Sequence, residues 1–286
     1  STVDSDGDSF TDALELEASS DPLDPNVIPI DFSDTIDEQI GVSSNLDTVE
    51  DNLVLWLDAS NIDFVDNSTL TDGEAISVWK DLSGNGNNGV QTDSDRAPLY
   101  DSSQTVINFD GVNDRLELSD GTIPYGNSNY TIIVASKFKT PTNPWYGLIE
   151  SGLMSSYQAN GIAIYSDYSD KLVNSSSNYW WGGVINYTSI NSLQFDQKQI
   201  LTYKYDGTNI NSFVDGVLEI TVAASNRNSS SVSNVIGTFR GDEHSLNAEI
   251  FEIIIFDSAL TDEELIKVNY YLSTKWGLES SIDSDG

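Results

Sequence analysis

Between residues 50 and 257 the apolar positions come in short runs, alternating or continuous, separated by turn residues. LVLWLDA (53–59), VINFDG (106–111), RLEL (115–118), YTIIVASKF (130–138), GIAIYS (161–166) and AEIFEIIIF (248–256) all read as strands. In QILTYKYDGTNINSFVDGVLEITV (199–222), Asp206-Gly207 and Asp215-Gly216 each separate two β-rich runs, which predicts three consecutive antiparallel strands. Many short strands with regular turns predict an all-β fold, an antiparallel sandwich. One helix stands apart, in LTDEELIKVNYYLSTKWGL (260–278). Thr261 and Glu264 are spaced as a capping box, and Leu260 and Leu265 as a hydrophobic staple. Leu265, Val268 and Leu272 share a face that would pack on the sandwich, and Gly277 is placed to end the helix.

The first 48 residues lack this pattern. DSDGDSFTDALE (4–15) sets carboxylates at loop positions 1, 3, 5, 9 and 12, as Asp4, Asp6, Asp8, Asp12 and Glu15. Calcium takes about six to eight hard oxygens, so alternating carboxylates can converge on one ion. The Phe10 carbonyl would serve at position 7, and Glu15 could close the sphere with both oxygens. Gly7 falls at position 4 rather than 6, so the loop is not a standard EF-hand. A solvated acidic linker is the plainer reading, but five carboxylates at this spacing would repel one another if left empty. Residues 26–48 are polar and acidic without periodicity, and read as a linker.

Charge sharpens the picture. Twelve Lys and Arg face 46 Asp and Glu, a net charge of −34. Such a surface repels nucleic acid and anionic membrane and attracts cations. There is no cysteine, so neither disulfides nor thiolate metal sites enter. No apolar run reaches the length of a membrane span, so direct membrane insertion is not expected.

Two resemblances follow from these stretches. Residues 3–25 resemble the acidic loop of thrombospondin type 3 repeats, in which a trailing piece like DPLDP (21–25) supplies further ligands; the resemblance implies Asp21 and Asp24 as added calcium ligands. LVLWLDASN, VWKDLSGNGNNG, INFDGVNDRLEL, YKYDGTNINSFVDGVLE and AEIFEIIIFDSALTDEELIKVNYYLSTKWGL together resemble a laminin-G-like jelly-roll domain, related to concanavalin A-like lectins and glucanases. The resemblance implies a calcium loop at 1–25, a linker at 26–48 and a jelly roll at 49–279. STVDSDG at 1–7 recurs nearly unchanged as SSIDSDG at 280–286, which suggests that a repeated unit begins again there, with Asp283 and Asp285 at loop positions 1 and 3. Such domains occur in large bacterial proteins that are secreted or held at the cell surface. The implied function is a non-enzymatic adhesin repeat in which calcium stiffens the joints between neighbouring repeats. A lectin-like domain that binds glycans or cell-surface polymers is the alternative.

Candidate sites sort accordingly. His244 is the only histidine, and no G-x-S-x-G elbow occurs. Glucanases of this fold set acidic residues on alternate positions of one strand. Glu249 and Glu252 are three apart, which for a regular strand means opposite faces, so no enzyme is expected and Glu252 is read as structural. SNYWWGG (177–183) and TNPWYG (142–147) bring aromatic residues beside glycines. Tyr179, Trp180, Trp181 and Trp145 can stack on the apolar faces of sugar rings; the competing reading places one Trp of the pair in the core and the other at its rim. Arg240-Gly241-Asp242 is too short a match to carry weight in so Asp- and Gly-rich a chain. Asp58 and Asp81 are read as turn anchors through side-chain to backbone bonds, or as ligands of a second calcium.

Overall fold

The computed structural model describes residues 50–140, 145–153, 158–165, 171–176, 185–189, 193–224, 227, 229–239 and 244–278. The readings made for 1–25, 26–48 and 280–286 lie outside them. In chain order the strands begin with β1 (Leu53–Asp58), β2 (Val78–Trp79), β3 (Gly89–Val90), β4 (Leu99–Asp101), β5 (Val106–Asp110) and β6 (Leu116–Leu118). Longer strands follow: β7 (Tyr130–Phe138), β8 (Trp145–Leu153), β9 (Gln158–Tyr165), β10 (Lys171–Ser176) and β11 (Ile185–Ser189). The series ends with β12 (Lys198–Tyr205), β13 (Asn209–Val214), β14 (Val217–Ala223), β15 (Asn234–Ile236), β16 (Thr238–Phe239), β17 (His244–Ser245) and β18 (Asn247–Phe256). One α-helix, α1 (Asp262–Trp276), closes the described chain.

Two antiparallel sheets form a β-sandwich. The first has the order β14-β13-β12-β7-β18-β5-β4. The start of β18 pairs with β5 and its end with β1, so those two strands share one side of β18. The second has the order β11-β10-β9-β8-β15-β6-β3-β2, and β16 with β17 makes a small ribbon of its own. The three strands expected at 199–222 are β12, β13 and β14, joined by tight turns with Gly207 and Gly216 at positive φ.

The core lies between the sheets. Leu55 and Leu57 of β1, Val134 of β7, Leu201 of β12 and Ile253 of β18 are fully buried on the inner face of the first sheet. Contact across the layers is tight at Gly237, where a Cβ would fall 2.5 Å from Phe109 Cε1, and where φ is +95°. Only glycine fits both the backbone angle and the space there.

Helix α1 covers the outer face of the first sheet, which is why β7 and β18 are buried on both faces. The capping box is present: Thr261 Oγ1 accepts from Glu264 N, and Glu264 Oε2 accepts from Thr261 N at 2.7 Å. Leu260 and Leu265 are buried as the staple requires, and so are Val268 and Leu272. Gly277 ends the helix in the left-handed conformation, φ 67°. Among the described residues no helix is long and apolar enough to cross a membrane.

Candidate functional site

Beneath the helix sits a buried carboxylate, Glu252, with no solvent exposure. Its Oε1 accepts from Trp56 Nε1 at 2.6 Å and from the Tyr271 hydroxyl at 2.8 Å. Its Oε2 accepts from Lys275 Nζ at 2.9 Å and from Trp276 Nε1 at 2.8 Å. Lys275 also donates to Asp58 Oδ2. Burial pushes the Glu252 carboxyl above its usual range and the Lys275 ammonium opposes that, while Asp58 adds to it. Four donors from one strand and one helix thus fix the helix to the sheet, the structural part read for Glu252 in the sequence.

The position of Glu249 relative to Glu252 departs from the expectation. Strand β18 carries a β-bulge between Ile250 and Glu252, so Glu249 lies opposite Lys137 and Glu252 opposite Ala135. Those partners are two apart on β7, which places both glutamates on the same face. The extra residue, Phe251, resets the alternation. Glu249 pairs with Lys137 Nζ at 3.3 Å and Lys139 Nζ at 3.7 Å, away from the helix cluster. Opposite faces therefore give no ground for excluding catalysis.

Asp58 and Asp81 do anchor turns. Asp58 Oδ1 accepts from Ser60 N and Ser60 Oγ, both at 2.7 Å. Asp81 accepts from the backbone N–H groups of Trp56, Ser83 and Asn87 and from Ser83 Oγ, stitching the 81–88 loop to β1. Among the described residues no three His, Cys, Asp or Glu side chains are grouped to hold a metal ion. Asp4, Asp6, Asp8, Phe10, Asp12, Glu15, Asp21, Asp24, Asp283 and Asp285 lie outside the described residues.

Of the aromatic candidates, Tyr179, Trp180 and Trp181 also lie outside the described residues, in the connection from β10 to β11. Trp145 opens β8 at the register position opposite Tyr165 of β9, which in turn faces Lys171 at the start of β10. Strands β8 to β11 form a four-stranded ribbon at one end of the second sheet. Trp145 belongs to the row where β10 begins, whereas the 177–184 connection leaves from Ser176 at its other end. At about 3.3 Å per residue these rows are roughly 17 Å apart. The backbone register sets Trp145 opposite Tyr165. Arg240, Gly241 and Asp242 lie outside the described residues, and His244 starts the short β17.

A further cluster has no counterpart in the sequence reading. Where β7 begins and β12 ends, Tyr130 and Tyr205 face each other with ring centroids 5.8 Å apart. The guanidinium of Arg227 lies over both rings, 4.9 Å from Tyr130 and 4.5 Å from Tyr205. Asn127 Oδ1 ties the group together, accepting the Tyr205 hydroxyl at 2.6 Å and Arg227 N at 2.9 Å. Two residues earlier, Tyr125 is 51% exposed. Asn127 and Arg227 are 100 residues apart with no local motif at either, so only the strand order brings them together.

No protein-family model matches the chain, and no curated protein matches it. Solved structures do. A Trypanosoma rangeli sialidase in complex with sialic acid is similar with a TM-score of 0.54 at 14% identity, over 78% of this chain and 33% of the sialidase. The binding domain of botulinum neurotoxin DC, in complex with rat synaptotagmin II, gives 0.53 at 15% identity over 78% of this chain and 52% of the toxin chain. Botulinum neurotoxin type C, whose cell entry depends on interaction with two ganglioside molecules, gives 0.54 at 14% identity over 80% and 53%. At these identities the likeness is one of fold, an antiparallel jelly-roll β-sandwich. The chain spans about a third of the sialidase and about half of the toxin chains. The expectation that the chain is not an enzyme is corrected here, because structures similar to it belong to sialidases, which are enzymes.

Proposed function

We propose that this chain is a carbohydrate-recognising jelly-roll module of a larger secreted or cell-surface protein, with a calcium-binding acidic segment at its N-terminal side. The observation that carries this reading is the backbone register of the β8–β11 ribbon, which sets Trp145 opposite Tyr165; the sequence adds Tyr179, Trp180 and Trp181 between β10 and β11. Aromatic residues of this kind suit sugar rings, whose apolar faces stack on flat aromatic rings. The sandwich class supports the same reading, since the botulinum neurotoxin of similar fold interacts with gangliosides. Partners on this reading are glycans or other cell-surface polymers, together with neighbouring domains of the same protein. Adhesion to a glycan-coated surface is the finer role it suggests.

A glycan array probed with the full chain tests the proposal. At least one glycan class is expected to bind, and Trp145→Ala or Trp181→Ala should weaken that binding by about 2 kcal/mol, roughly 30-fold. The melting temperature should hold, because an aromatic at a binding surface contributes little to the core. No binding across the array, or a variant that unfolds without a change in specificity, removes the proposal.

A further inference from the structure

An amine and a carboxamide meet on the first sheet. Lys139 Nζ donates to Asn108 Oδ1 at 2.7 Å. A carbonyl C=O bond is about 1.23 Å long, so Nζ stands within about 4 Å of the carboxamide carbon, Cγ. Reacting atoms in a near-attack pair are about 3–3.5 Å apart, a small movement away.

A carboxylate stands beside both groups. Glu249 of β18 lies opposite Asn108 of β5 on one side and opposite Lys137 of β7 on the other. Lys139 follows the end of β7, and its backbone N–H donates to Asn247 O at the start of β18. Glu249 Oε1 is 3.7 Å from Lys139 Nζ. Glu249 Oε2 is buried and 3.3 Å from Lys137 Nζ, yet accepts no hydrogen bond. The Glu249 side chain is 14% exposed and that of Lys139 31%. The carboxylate is thus sheltered, incompletely bonded and in reach of the amine.

We propose that Lys139 and Asn108 join in a covalent amide bond, with Glu249 as the acid–base group. An ammonium is no nucleophile, so Glu249 first takes a proton from Lys139 Nζ. The freed lone pair attacks Asn108 Cγ; the Nζ–Cγ bond forms and the Cγ–Oδ1 double bond opens to an oxyanion. Glu249 returns its proton to Nδ2, the oxyanion collapses and the Cγ–Nδ2 bond breaks. The surplus proton on Nζ goes to the departing ammonia, which leaves as ammonium. Nothing is oxidised or reduced. Lys137 also pairs with Glu249, but among the described residues it is Lys139 that touches Asn108. The bond straps β5 to the end of β7 across β18, closing a loop between residues 31 apart in sequence. In a chain without cysteine it does what a disulfide does elsewhere.

Mass spectrometry of the unaltered full chain tests it. The bonded chain should be lighter than its sequence by one ammonia. Asparagine before glycine, as at Asn85-Gly86, can also lose ammonia by closing on its own backbone, so a tryptic digest locates the bond. Trypsin does not cut after an acylated lysine, so residues 97–115 should appear joined to residues 138–171. Lys139→Arg should give separate peptides, and Lys137→Arg should leave them joined. Glu249→Gln should slow the joining about 100-fold or more. A chain of full mass, or a lighter one whose peptides stay separate, overturns the proposal. Undiminished joining in Glu249→Gln overturns the part given to Glu249. The deciding measurement uses the unaltered chain, so it does not depend on how any variant folds.

Discussion

At the scale of single residues, the largest electrostatic commitment is the Glu252–Lys275–Asp58 group. Two carboxylates, one fully buried and one 5% exposed, share a single ammonium. Removing that ammonium leaves buried charge uncompensated, which costs about 3–5 kcal/mol in closed sites. Lys275 keeps 22% of its side chain in water, so Lys275→Met should cost near the low end, about 3 kcal/mol. Denaturant unfolding measures this, and adding Glu252→Gln to Lys275→Met should recover part of the loss. Asp114 offers a pH readout. Burial raises its carboxyl to about 6, a backbone bond from Asp110 opposes that, and the Asp110 charge adds to it. The folded chain therefore holds a proton that the unfolded chain releases near 3.8. Asp114's contribution is full below that value and is lost as pH rises through about 6. Asp114→Asn should raise the melting temperature at pH 7.5 and flatten the fall between pH 4 and 7. An unchanged slope would show that Asp114 does not titrate there.

At the scale of elements, helix α1 was legible from end to end, because each of its signals is local. Thr261, Glu264 and Gly277 act on backbone groups within four residues of themselves. Thr261→Ala should cost about 1 kcal/mol by freeing the Glu264 N–H and breaking the reciprocal bond. Thermal melts of this variant against Thr261→Ser, which keeps the cap, check the assignment. The β12–β14 meander was legible for the same reason, its turns marked by Asp-Gly pairs. The bulge at Phe251 was not. One inserted residue leaves the apolar run unbroken when both faces of the strand are buried, so alternation gave the wrong face for Glu249 relative to Glu252. Strands of two or three residues such as β2, β3 and β16 have no period to read. The cluster of Tyr130, Tyr205, Asn127 and Arg227 was hidden for another reason: Asn127 and Arg227 come from chain segments 100 residues apart.

At the scale of the molecule, 46 acidic against 12 basic residues make self-repulsion a general charge on folding. Any salt screens that repulsion, so a rise in melting temperature with salt alone identifies no site. A calcium site would behave differently. If Asp4, Asp6, Asp8, Asp12 and Glu15 converge on one ion, binding to the folded form stabilises it by RT ln(1 + [Ca]/Kd), about 2.7 kcal/mol at a hundredfold excess over Kd. Calorimetry in calcium, against sodium chloride of equal ionic strength and against magnesium, separates the two effects. Calcium should raise a transition that sodium leaves in place, and chelator should reverse it. Magnesium demands stricter octahedral geometry and gives up its water reluctantly, so it should substitute poorly. The double variant Asp6→Ala, Asp8→Ala should lose the calcium-specific rise and keep the salt effect. Should it respond to calcium as the parent does, the ion acts through general screening of the acidic surface, and the N-terminal segment is a solvated linker.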